Sequence, residues 1–192
     1  MGNHEYNAIA FATPDVKESG FLRRHSSKNI DQHEAFLNAY PSHSPEYADT
    51  IEWFKTLPLW LDLDNLRIVH ACWDQSWMAR LQSNKHTNDL LLQSSIKNTW
   101  QYEAIETLLK GKEITHMPDE EIEGDHLIDY SHSAPPVFLG HYWLEGKPEP
   151  LAPNIACLDY SVAKPGGKLV AYRWNGEQHL KPEHFVMEES CG

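Results

Sequence analysis

The sequence predicts an α/β domain in which helices cover a mixed sheet. Three observations carry this. Segments with helical spacing fill the first third of the chain and the stretch from 74 to 110. A β-hairpin separates them, and three or four short apolar strands follow residue 135. No internal repeat is present, so the elements belong to one layered architecture. A length of 192 residues suits a single domain, 1–192.

The elements follow in order. The opening "MGNHE" reads as a loop and "NAIAFA" as a short apolar helix. Residues 14–29 are polar and read as a loop carrying Arg23, Arg24 and Lys28. "IDQHEAFLNAY" has helical spacing, with Ile30, Ala35, Phe36, Leu37 and Tyr40 as its apolar set. Pro45 opens the helix "PEYADTIEWFKTL", and Pro58 stops it. In "LWLDLDNLRIVHACW", Leu59, Leu61 and Leu63 alternate with Trp60 and Asp62. Asp64-Asn65 then turns the chain into a second strand, 66–71, expected to be buried on both faces. "TWQYEAIETLLKG" is the clearest later helix, stopped by Gly111. Residues 111–135 form an acidic excursion. "PPVFLGHYW" is a short buried strand that breaks at Gly140-His141. "NIACLDYSVA" and "KLVAYRW" are strands joined by the turn "KPGG". The end, residues 177–192, reads as one more possible edge strand and a loose tail, the tail covering 185–192.

Composition narrows the function classes. With 41% hydrophobic residues and seven tryptophans, the chain can bury a core. A formal net charge of -12 argues against a nucleic-acid polymer or an anionic membrane as partner. A phosphorylated substrate stays compatible, because bound cations invert the local field. No apolar run has the length of a membrane span, and the first residues lack a signal-peptide layout. The three cysteines, Cys72, Cys157 and Cys191, are far apart and show no C-x-x-C, which points to a reducing cytoplasm. Cys72 and Cys157 lie in apolar runs and read as core residues.

Two apolar strands end at a histidine: "LRIV" runs into His70, and "PVFLG" runs into His141. Such histidines sit at a sheet rim, where loops form clefts. With Asn3 and His4 in the opening loop, Asn3, His70 and His141 make a plausible N/O metal site suited to Zn, Fe or Mn. The same pattern also fits histidines that simply hydrogen-bond at the edge of the core.

"GNHE", then "VHA" at a strand end, then "GH" at a later strand end resembles the calcineurin-like metallophosphoesterase superfamily. The likeness is to its bacterial phosphoprotein-phosphatase and diadenosine-tetraphosphatase branch. It runs from residue 1 to about 175, through "NIACLDYSVAKPGGKLVAYRW". The resemblance implies a four-layer α/β/β/α sandwich with mixed sheets. It implies two divalent ions, Mn, Fe or Zn, in the intact enzyme. Asn3, His70 and His141 would ligate the second ion, and His4 would protonate the leaving oxygen. Gly2 would turn the backbone into the loop. Glu5 reads instead as a carboxylate favoured by a helix N-terminus. Tyr142 and Trp143 are candidates for the cleft wall, or for packing. Arg23 and Arg24 are candidate phosphate contacts, with Lys28, Arg80 and Arg173 beside them. The implied chemistry is hydrolysis of phosphomonoesters or phosphoanhydrides by a hydroxide bridging two metals about 3.5–4 Å apart.

The family's two earlier motifs, GDxHG and GDxxDRG, do not occur in this sequence. They supply the first metal's ligands, the bridging carboxylate, a phosphate-gripping arginine and the aspartate that orients His4. The expectation is therefore the C-terminal portion of a longer metallophosphoesterase, missing its first strands and impaired in this form. Gly124-Asp125-His126 lies after GNHE and has no apolar strand before it, so Asp125 and His126 are poor substitutes. The alternative is a non-catalytic remnant or a binding domain lacking the first metal site. A single-zinc hydrolase on Asn3, His70 and His141 would lack a nearby carboxylate base. The expected substrates are small phosphomonoesters, dinucleoside polyphosphates or phosphoproteins.

Overall fold

The structure, a computed structural model, describes residues 1–17, 19–83, 87–111 and 130–190. It is a mixed α/β chain that divides into two compact units. The first comprises Met1–Leu59 and Gln75–Ile105, the second Trp60–Asp74 and Glu106–Gly192. Among the described residues, no helix is long and apolar enough to cross a membrane.

The first unit is helical. It holds α1 (Asn3–Ala12), α2 (Ser27–Asp31), α3 (Glu34–Ala39), α4 (Pro45–Thr56), α5 (Gln75–Ser83) and α6 (Thr87–Ser94). The start of α7 (Trp100–Lys110) also belongs to it. Its core joins Ala8 and Ile9 of α1 to Tyr47, Ile51 and Phe54 of α4. Those three α4 residues stand at i, i+4 and i+7, the spacing of one helix face. α4 begins as its sequence dictates, since the Ser44 hydroxyl accepts from the Tyr47 N–H at 3.1 Å and Pro45 takes the first turn. The single helix expected over 30–40 is instead two short ones, α2 and α3.

The second unit holds both sheets. β1 (Trp60–Leu63) and β2 (Leu66–Val69) form the expected antiparallel hairpin. β2 then pairs in parallel with β3 (Val137–Leu139), and β3 with β4 (Ile155–Cys157). The order β1-β2-β3-β4 is therefore a mixed sheet. A second, antiparallel sheet runs β5 (Asp159–Tyr160), β6 (Lys168–Tyr172), β7 (Phe185–Glu189). Phe138 and Ala156 of the first sheet share a buried cluster with Leu180, against which Tyr172, Trp174 and Phe185 pack.

Three expectations change. β2 is half-buried, not buried on both faces. Val69 is 2% exposed, whereas Ile68 and its cross-strand partner Leu61 are 39% and 40% exposed. Adjacent strand residues point to opposite faces, and only one face of this hairpin reaches the core. "NIACLDYSVA" is not one strand. It divides after Cys157, β4 completing the first sheet and β5 starting the second, while the Leu158 N–H still donates to Leu139 C=O at 2.8 Å. At the C-terminus, residues 185–189, expected to begin a loose tail, instead form β7, paired along all of β6.

Candidate metal and phosphate site

The parallel pairing of β2 and β3 decides where the two rim histidines go. His70 follows the last residue of β2, and His141 follows β3 after Gly140. The Gly140 N–H donates to the His70 carbonyl at 2.8 Å, so the ladder continues into the loops. The two rings meet edge to face, centroids 5.4 Å apart and planes at 63°. Two imidazoles on one tetrahedral ion, each bonded at about 2 Å, have ring centres about 5 Å apart. The pair therefore fits a shared divalent ion. Among the described residues, no group of three or more His, Cys, Asp or Glu side chains gathers at one point.

The backbone around His141 is unusual. His141 has φ 73° and Trp143 φ 51°, both in the left-handed region. Histidine visits that region more readily than most residues, but a bulky tryptophan there is an outlier. Left-handed non-glycine residues collect where surrounding structure fixes a functional loop. Between them, Tyr142 points inward. Its hydroxyl donates to Ala71 C=O at 3.1 Å, directly after His70. Burial pushes its phenol above the ordinary range, with Cys72 and Cys157 acting in the same direction. Gly111 (φ 83°) makes room for it, since a Cβ there would lie 2.6 Å from the Tyr142 hydroxyl. Of the two aromatic candidates for a cleft wall, Tyr142 thus braces the loop and Trp143, 56% exposed, faces out.

The cysteines expected in the core are there: Cys72 is 2% exposed and Cys157 0%. Burial raises the Cys157 thiol to about 11, against the pull of nearby backbone hydrogen bonds. It is no nucleophile at neutral pH.

Asn3 and His4 belong to the first unit. They do not lie in a loop; they form the first turn of α1, whose N-cap is Gly2. The Gly2 N–H donates to the Glu5 carboxylate at 2.7 Å, which is the helix-end role expected of Glu5. Gly2 itself has φ -99° and ψ 176°, an extended conformation open to any residue, so no tight turn requires a glycine. Arg23 reaches the same helix. Its Nη1 donates to Asn7 Oδ1 at 3.0 Å and its Nη2 to Gln32 Oε1 at 2.8 Å. Asn7 stands four residues after Asn3, on the same helical face. His25 lies sandwiched between Phe11 and Phe21, at 3.7 and 4.1 Å. His33 contacts Phe11 and Phe36. Burial, then the charges of Arg23, His4 and His25, hold His33 below its ordinary pKa. The first unit thus sets Arg23, His25 and His33 along α1, with His4 in the first turn of that helix.

Arg24 is exposed, and its carbonyl accepts from Asn29 Nδ2 at 2.7 Å. Arg80 stacks over Trp100 at 4.2 Å, and the Arg173 N–H donates to His184 C=O. Asp125 and His126 lie outside the described residues. The stretch "SVAKPGGK" is more than a turn, because it walls a cavity whose lining begins again at Leu144, three residues past His141. Two lysines around Pro-Gly-Gly were the available signal.

No family model matches the chain, and no match to a curated protein is found.

Proposed function

We propose that the chain is a metal-dependent phosphoesterase in which His70 and His141 hold a divalent ion. The observation that carries this reading is the pair of rings 5.4 Å apart at the ends of two adjacent parallel strands. The ion would be Mn, Fe or Zn, since imidazole suits all three. Within the second unit these two imidazoles are the ligands that the chain itself supplies. A bound divalent ion supplies charge neutralisation at phosphorus and acidification of water.

The remaining work falls to the chain's own side chains. The resemblance gives His4 the role of proton donor to the leaving oxygen. Arg23, aligned by Asn7 and Gln32, orients a phosphoryl oxygen through its planar fork. Arg24 is a lesser phosphate contact. Tyr142 fixes the His70 and His141 loops against each other. The substrate carries a phosphomonoester or phosphoanhydride, and the site is in a cytoplasmic protein. The finer architecture in this reading is the four-layer α/β/β/α sandwich.

The test is hydrolysis of p-nitrophenyl phosphate with Mn²⁺ by the purified chain, alongside H70A, H141A and H4A. The expected result is slow, metal-dependent turnover that all three variants abolish. Turnover independent of metal, or unaltered in H70A and H141A, refutes the assignment.

A second reading is a domain that binds a single ion without turnover. The sequence favours it in one respect: it contains neither GDxHG nor GDxxDRG and so offers no bridging carboxylate in those motifs. Metal binding by the wild type and by H4A, with no hydrolysis by either, selects this reading.

A further inference from the structure

The loop that joins β5 to β6 encloses a cavity of about 240 Å³. Its walls include Ser161, Lys164, Gly166, Gly167, Lys168 and Glu145. Pockets for whole small molecules start at about 300 Å³. This one has the size for a single charged group and a few waters, at about 30 Å³ per water.

Ser161 is 8% exposed and has φ 59°. Its buried hydroxyl has no hydrogen-bond partner among the described residues. A buried, unpaired hydroxyl on a left-handed residue is doubly unfavourable. The loop is built tightly around it. The Lys164 N–H donates to Ser161 C=O at 2.8 Å, and the Gly167 N–H to Lys164 C=O at 2.9 Å. A Cβ on Gly167 would lie 1.9 Å from the Ser161 carbonyl oxygen, so glycine is required there.

Both ammonium groups are held by uncharged partners. Lys168 Nζ donates to Gly146 C=O at 2.5 Å, and Lys164 Nζ sits 4.5 Å above the Trp143 ring. Glu145 is the one carboxylate among the lining residues. A net positive cavity in a chain of charge -12 attracts an anion locally while the bulk charge repels polyanions. Its place is also fixed relative to the histidine pair. The Leu144 N–H, three residues past His141, donates to Asp159 C=O at 2.9 Å, and Asp159 stands two residues before Ser161.

We propose that this cavity binds a phosphate group of the substrate other than the one attacked. The proposal rests on the phosphoesterase reading for the word substrate, and it narrows the class to compounds with at least two phosphates. Trp143 would lie beside the linking portion of such a molecule.

The test titrates inorganic pyrophosphate into the metal-free full chain and follows binding by calorimetry. The expected result is saturable binding in the wild type that K164Q/K168Q weakens at least tenfold. The exposed single variant K164Q, expected to weaken it several-fold, serves if the double variant fails to fold. S161G should also weaken binding several-fold while raising the melting temperature, because it removes the hydroxyl and relieves the left-handed backbone. H70A/H141A should bind pyrophosphate like the wild type. No saturable binding, or equal binding by the wild type and K164Q, overturns the proposal. So does binding lost in H70A/H141A and retained in the lysine variants. Intact pyrophosphate binding with no metal-dependent hydrolysis would remove the phosphoesterase reading and leave an anion site.

Discussion

The His70 and His141 rings stand edge to face, 5.4 Å apart, although 71 positions separate them in the chain. Parallel pairing of β2 with β3 brings them together. If they share an ion, each must act as a neutral ligand. Zn²⁺ or Mn²⁺ should then raise the melting temperature of the wild type, and by less as the solution is acidified. H70A and H141A should each abolish the shift. Differential scanning fluorimetry with and without metal is the check.

Tyr142 and Gly111 form a matched pair whose coupling can be measured. Y142F removes the hydrogen bond to Ala71 C=O and should cost about 0.5–1.5 kcal/mol. G111A meets both the hydroxyl at 2.6 Å and a φ of 83°, so it should cost more than about 1 kcal/mol. With the hydroxyl gone, part of that clash goes too. The double variant should therefore be less destabilised than the sum of the singles. Urea unfolding of all four proteins decides this. Strict additivity would mean that the two residues do not press on each other.

Much of this was legible in the sequence, and the exceptions have physical causes. Proline and glycine signals placed α4 and the end of α7 because helix starts and stops are local chemistry. The His70–His141 pair was legible as two strands that end alike. Burial of Ile68 was misjudged because an apolar run does not say which face meets the core. The break at Leu158 was not visible because a strand can leave one sheet for another without any turn residue. The Ser161 cavity was hidden for a related reason. Pro-Gly-Gly announces a turn, but the unpaired hydroxyl it encloses exists only in three dimensions.

Glu177 ties down the end of the second sheet. Its carboxylate accepts from Tyr172 Oη at 2.6 Å and from the Asn175 N–H at 2.8 Å, and it meets His184 Nδ1 at 2.7 Å. Desolvation would raise its pKa, but these bonds prevail and hold it down to about 2. A carboxyl whose folded pKa is depressed stabilises the fold fully above its unfolded value of 4.5. That stability should disappear as pH falls from there towards 2. E177Q should cost about 1–3 kcal/mol at neutral pH and flatten the acid limb of the stability curve. Equal acid sensitivity in E177Q and the wild type would contradict this.

His33 should give this loss of stability on acidification a second source, in the first unit. Burial comes first among the causes that lower its pKa below 6.5, followed by Arg23, His4 and His25. The folded state therefore takes up a proton less readily than the unfolded chain. Stability should be complete above about pH 6.5 and should decline as pH drops through that value towards the folded pKa. The buried Nε2 of His33 has no hydrogen-bond partner among the described residues. H33F keeps a ring against Phe11 and Phe36 and removes both the unpaired nitrogen and the titration. It should raise the melting temperature and level its dependence on pH between about 5 and 7, the range in which histidine titrates. An H33F melting profile parallel to the wild type over that range would show that the basic cluster around α1 does not restrain His33.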